Sequence, residues 1–161
     1  MTGIPSLGPR GEGWVAAQLV LLISAAALGA FALPAGVASA ASRWPVMLTG
    51  LILMAVGVFS AARGLRDLGP NLTALPRPRP DAHLVETGIF AHIRHPIYAG
   101  LMAITLGWGL VAGSGSAFIL GLTLVLVLDL KARREEAWLS ERFAGYDAYR
   151  ARTHRFIPGV Y

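Results

Sequence analysis

From Trp14 to Leu33 twenty consecutive residues carry no formal charge, and the pattern recurs along the chain. An α-helix rises about 1.5 Å per residue, so twenty residues cover about 30 Å, the thickness of a bilayer's hydrocarbon core. A second uncharged stretch, Trp44 to Ala62, lies between Arg43 and Arg63, and a third, Ile97 to Ala112, follows Arg94-His95-Pro96. A Gly113-Ser114-Gly115 turn leads into a fourth, from Ser116 to Leu128. The last two are short, but polar ends extend them and the small turn reads as a tight helical hairpin. Trp14 suits one interface, and Pro34 is expected to end the first helix near the other. Charged residues make up 14% of the chain and the mean hydropathy is +0.57, whereas a soluble domain carries about 25% charge. The expected fold is all-α: a polytopic membrane protein with four transmembrane helices plus a cytoplasmic C-terminal helix. The spans fall at about 14–33, 44–62, 97–112 and 115–130, in a single membrane domain over residues 1–161.

The charges supply an orientation. With four spans, thirteen of the fourteen basic residues fall on one side, and only Arg43 falls on the other. Lys and Arg in short loops stay cytoplasmic, so both termini are expected in the cytoplasm of a cell inner or plasma membrane. That accounts for the pI near 10.4 without a nucleic-acid partner. Ala38-Ser39-Ala40 resembles a signal-peptide cleavage site, but the apolar run before it exceeds the roughly 7–15 residues of a signal core. The absence of cysteine excludes disulfides, thiolate metal sites and a cysteine nucleophile. No metal site is expected: His83 and His92 read as loop residues, since a metal needs more ligands than surround them.

The polar segments hold the chemistry. Pro76-Arg77-Pro78-Arg79-Pro80 excludes helix and reads as a stiff strap over the cytoplasmic face, or as a plain linker. Leu128 to Phe143 continues the fourth span into water as a helix. Two clusters flank the last hairpin: Gly88 to Gly100, and the segment from Glu135-Glu136 to Pro158. One span rises and the next descends by similar lengths, so residues forty apart become neighbours around one cytoplasmic pocket.

These clusters carry a resemblance. Gly88, Phe90, Arg94, His95, Pro96, Tyr98 and Gly100 match G-x-[YF]-x-x-x-R-H-P-x-Y-x-G, and Glu135, Glu136, Leu139, Phe143, Tyr146 and Tyr149 match E-E-x-x-L-x-x-x-F-x-x-Y-x-x-Y. Arg152 and Pro158 take the places of a following arginine and a closing proline. The chain thus resembles the isoprenylcysteine carboxyl methyltransferase and phospholipid methyltransferase group of integral membrane enzymes, over about residues 75–160. The resemblance implies S-adenosyl-L-methionine as cofactor, held by about residues 85–100 and 131–158, with Arg94, His95, Pro96, Tyr98, Glu135 and Glu136 as binding residues. Glu135 or Glu136 would accept from its amino group or ribose, Arg94 or His95 would hold its carboxylate, and Tyr98 would cap the purine or donate its hydroxyl.

The implied reaction is methyl transfer to a lipidic or small hydrophobic acceptor, with an isoprenylcysteine-like carboxylate favoured. Such an acceptor needs an orienting cation. Arg152 takes the place of the family's carboxylate-binding arginine, and Arg155 is its nearby substitute. A phospholipid or other amine needs a base, for which Glu135, His95 or Tyr149 could serve. The catalytic candidates are therefore Arg152, Tyr149, Glu135 and Arg155. Carboxyl methyltransferases usually carry Arg-Val-Pro where this chain has Arg152-Thr153-His154, so N-methylation stays open. So does a non-catalytic lipid- or quinone-binding protein on the same scaffold. The bland readings stand beside these: Arg94 as a membrane anchor, Glu135 and Glu136 as solvated partners of nearby basic residues, Arg152 and Arg155 on lipid headgroups, and Tyr146 and Tyr149 in an aromatic belt. Trp108, between Gly107 and Gly109, is expected to pack its helix against a neighbour.

Overall fold

A computed structural model describes residues 3–160. Five α-helices follow in order: α1 (Glu12–Ala38), α2 (Ala40–Leu68), α3 (Pro96–Ala112), α4 (Gly115–Arg142) and α5 (Tyr146–Arg152). Among the described residues the only extended pairing is a parallel bridge between Ile93 and His154. Helices α1, α2 and α4 are long and apolar enough to cross a membrane, and α3 is a shorter apolar helix. Their exposed side chains agree, with Ile23 and Phe31 on α1, Phe59 on α2 and Leu126 on α4 all more than 60% exposed. Exposed hydrophobic surface on this scale belongs in lipid.

Helix α3 lacks such a surface. None of the strongly exposed large hydrophobics lies between Pro96 and Ala112, because α1, α2 and α4 all pack on it. Its antiparallel contact with α2 rests on glycines seven residues apart. A Cβ on Gly57 would stand 2.7 Å from the Gly100 carbonyl oxygen, and one on Gly50 would stand 2.7 Å from that of Gly107. Only hydrogen fits where two backbones approach this closely, and such approach drives helix association in lipid. On another face Trp108 lies against Gly29 of α1, where a Cβ would meet its ring nitrogen at 2.0 Å, so the packing role expected of Trp108 is met.

The hairpin between α3 and α4 turns on two residues. Gly113 takes the left-handed conformation at φ 66° and closes α3, while the Ser114 hydroxyl accepts from Ala117 N and caps α4. At this end Arg43 donates to the carbonyls of Gly36 (3.1 Å) and Leu110 (2.7 Å). A cation thus meets the negative ends of α1 and α3.

Pro34 does not end α1. The helix continues to Ala38 with Pro34 inside it. One missing N–H costs one hydrogen bond, which neighbouring helices tolerate in an apolar bundle. The Ser39 hydroxyl then donates to the carbonyl oxygens of Ala35 and Gly36 and closes the helix end. Trp14 is buried, with its ring N–H donating to the Pro5 carbonyl. Helix α4 runs unbroken beyond its apolar part to Arg142, about 42 Å in all.

Candidate functional site

At the polar end of the bundle the chain after α5 returns to the start of α3. Arg94 N donates to the His154 carbonyl (2.8 Å), His154 N to that of His92 (3.1 Å), and His95 N to that of Arg155 (3.1 Å). Pro96 opens α3 at a position where its missing N–H costs nothing. Short extended pairing therefore fixes the Arg-His-Pro segment against the tail, and both stand beside α4.

Glu136 is the hub of this junction. Its Oε1 accepts from Arg94 Nε (2.9 Å), Arg155 Nε (3.1 Å) and His95 Nε2 (3.2 Å), and its Oε2 accepts from a terminal nitrogen of Arg155 (3.0 Å). A carboxylate has about four lone-pair sites, so this one is saturated. Its side chain is 4% exposed and that of Arg94 8%. Burial alone would raise the Glu136 carboxyl, but the hydrogen bonds from His95 and Arg155 and the neighbouring positive charges outweigh it. They hold the group well below the usual carboxylate range. Arg94 also reaches the carbonyls of Arg150 and Thr153, and Arg155 reaches Asp129 (3.0 Å). One buried ion network thereby ties α3, α4, α5 and the tail together.

Beside the hub lies a cleft, open to solvent, with a cavity volume of about 120 Å³. Arg94 to Tyr98 form one wall, and Glu135 and Leu139 of α4 form the next with Phe143 just past its end. Tyr146 and Tyr149 of α5 continue it, and the strap from Thr73 to Val85 covers it. The Tyr98 hydroxyl donates to Glu135 Oε2 (2.6 Å). The Tyr98 ring stacks on His95, with centroids 5.3 Å apart, and has the Lys131 ammonium 4.9 Å from its centroid. Lys131 is itself buried, donating to Gln18 of α1 (2.6 Å) and to the Ala74 carbonyl of the strap (3.2 Å). The strap is further held by buried Pro76, which packs on Gly11, and by a two-way bond between Asn71 and His83. Burial pushes the phenols of Tyr146 and Tyr149 up, so both are protonated donors at neutral pH.

Comparison with known proteins adds the chemistry. The phospholipid methyltransferase family matches residues 45–145, from the start of α2 to the end of α4. The chain belongs to the phospholipid methyltransferase family. Over 81 residues it is also 35% identical to the nickel-cobalt-cadmium resistance protein NccN of Alcaligenes xylosoxydans xylosoxydans. That stretch is 50% of this chain and 38% of that protein, so well under two thirds of the relative is spanned. Membership of a family described as phospholipid methyltransferases thus meets a chain in which α1, α2 and α4 are long and apolar enough to cross a membrane.

The residues singled out in the sequence divide by position. Arg94, His95, Pro96, Tyr98, Glu135 and Tyr149 line the cleft together, whereas Glu136 stands behind the wall and positions it. Arg155 is part-buried, 15% exposed, in the ion network. Arg152 is 58% exposed, ion-paired with Glu86 outside the cleft wall. Tyr146 and Tyr149, at 1% and 3% exposed, are interior residues and not an aromatic belt, because α5 folds back on the Phe90–Arg94 segment. The Tyr149 hydroxyl is taken by the Phe90 carbonyl (2.7 Å). Lys131 and Gln18 were missed. Their signal in the sequence was a lone lysine at the end of the fourth apolar stretch and a lone glutamine inside the first.

Proposed function

We propose that this family member is an S-adenosyl-L-methionine-dependent methyltransferase acting on a lipidic or small hydrophobic acceptor at the cytoplasmic membrane boundary. The observation that carries the reading is the cleft itself. The Arg-His-Pro segment, Glu135 and the α5 tyrosines meet in one solvent-open space at the polar end of an apolar bundle. These residues suit a polar nucleoside that is a zwitterion. Glu135 offers a carboxylate to an amino group or ribose diol, His95 and Tyr98 present a stacked aromatic wall, and Tyr146 holds a buried hydroxyl with no partner among the described residues. When bound, the cofactor supplies a methyl group on a sulfonium centre. The chain's own work is to hold that methyl in line with the acceptor and to exclude water, which the strap and the buried hub favour.

All four apolar helices cross the membrane in this reading, with both termini cytoplasmic. Short α3 suits a span that meets protein on every side. Thirteen of the fourteen basic residues then lie inside, and Arg43 is retained outside by its bonds to two helix ends.

A carboxylate acceptor would be oriented by Arg152 after exchange of its Glu86 partner, an exposed pair of small strength. An amine acceptor is the second reading, and the place of Glu135 on the cleft wall favours it. That carboxylate is available as a base, whereas Arg94 and Arg155 are both engaged with Glu136. Titration of the detergent-purified protein with S-adenosylhomocysteine tests the function. Micromolar binding is expected, and absence of binding in detergent and in nanodiscs would overturn it. Methyl transfer from labelled cofactor to a prenylated cysteine or to an aminophospholipid then separates the acceptors.

A further inference from the structure

Tyr146 is 1% exposed and lines the cleft, yet its buried hydroxyl has no hydrogen-bond partner among the described residues. Its neighbours are all engaged: Tyr98 with Glu135, Tyr149 with the Phe90 carbonyl, and Glu136 with two arginines and a histidine. Buried hydroxyls in folded proteins are nearly always paired, because an unmade bond leaves their desolvation uncompensated. The residue is also held in place. Its backbone N–H donates to the Phe143 carbonyl (3.0 Å), and its ring meets that of Tyr149 edge-on with centroids 5.8 Å apart. The phenol shares the cleft with Arg94 and Glu135. Burial keeps it protonated, which makes it a donor and not a base.

We propose that Tyr146 is a ligand-contacting residue whose O–H donates to a ribose or carboxylate oxygen of the nucleoside methyl donor, and of its demethylated product, in the cleft. The inference rests on the methyltransferase reading. A polar ligand is favoured over the lipidic acceptor because α5 follows the charged end of α4, and Tyr146 lines the cleft together with Glu135 and His95. A hydroxyl kept for a ligand has a signature that a structural hydroxyl lacks. Its removal weakens binding and leaves the free protein as stable as before, or more so.

Y146F and Y149F are the paired variants, each titrated with S-adenosylhomocysteine and each melted without ligand. Y146F is expected to bind about tenfold more weakly, the scale of one hydrogen bond, with a melting temperature equal to or above that of the wild type. Y149F, which loses its bond to the Phe90 carbonyl, melts lower. An affinity within about twofold of wild type, a lowered melting temperature for Y146F, or its failure to fold would each overturn the proposal. Absence of binding by the wild type overturns the methyltransferase reading and this inference with it. Failure confined to Y146F leaves that reading standing.

Discussion

Where α2 packs on the far part of α3, a Cβ on Gly50 would stand 2.7 Å from the Gly107 carbonyl oxygen. At the other end of α3, one carboxylate holds two arginines and a histidine, each side chain no more than 15% exposed. The first contact is made by removing side chains and the second by concentrating charge. Each suits its surroundings. In hydrocarbon no hydrophobic gain accrues from pressing one apolar helix on another, so close backbone approach supplies the attraction. Near water a buried ion network gains little net stability, but it fixes orientation, since breaking it leaves charges uncompensated. The apolar half therefore sets how far apart the helices stand, and the polar end sets how the cleft wall is aimed.

Removing the hub carboxylate has the largest expected effect. E136A leaves Arg94, Arg155 and His95 facing one another without their anion, and a loss of about 3–5 kcal/mol is expected, read as a lowered melting temperature in detergent. The pH dependence has a definite sign. The folded-state carboxyl titrates below its ordinary value of 4.5, so its contribution is fully present above that pH. It is withdrawn as pH falls below it and the unfolded chain takes up protons first. The margin of wild type over E136A is thus full at neutrality and shrinks below pH 4.5. A margin that grew in acid would contradict an ionised hub. S-adenosylhomocysteine affinity is also expected to fall in E136A, because Arg94 and His95 lose their common anchor.

The glycine contact is next in size. G50A inserts one methyl group against the Gly107 carbonyl, which has no rotamer to yield, and overpacking of this kind costs about 1–3 kcal/mol. The comparison is sharpened by what G50A leaves intact. Gly107 is about three turns along α3 from the ion network, so residual folded protein keeps its ligand affinity. An equal loss of affinity in G50A and E136A would mean that the two ends of α3 are not separable.

The two ends also differ in how openly they were written in the sequence. The apolar helices are plain in the charge-free runs, and the hairpin that brings Arg94 and His95 to Glu136 follows from their lengths. The glycines at 50, 57 and 64 and at 100 and 107 repeat every seven residues, a visible signal for a close α2–α3 contact. Pairing within the polar cluster was not legible. Glu135 and Glu136 are adjacent and alike, yet they point to different faces of α4: one reaches Tyr98 on the cleft wall, and the other is sealed behind it. Arg152 and Arg155 are separated by the end of α5. The extended pairing of His154 with the Arg94 segment then turns the second arginine inward and leaves the first outside. Motif position assigns such residues to a site, but tertiary pairing assigns them their tasks.

Arg152 offers the smallest effect on stability and the sharpest reading of that division. Its ion pair with Glu86 is exposed, and such pairs contribute about 0–1 kcal/mol. R152A is therefore expected to melt within a degree or so of wild type, while E136A, acting on an arginine three residues from it, melts far lower. A large loss of stability in R152A would break the contrast between the buried and the exposed arginine. Its effect on turnover decides a different matter. Arg152 is outside the cleft wall, so affinity for S-adenosylhomocysteine is expected to be unchanged. If the acceptor is a carboxylate, the guanidinium must leave Glu86 to orient it, and R152A loses turnover at unchanged cofactor affinity. If the acceptor is an amine, turnover survives R152A and is lost instead in E135Q, which keeps the bond to Tyr98 but removes the base.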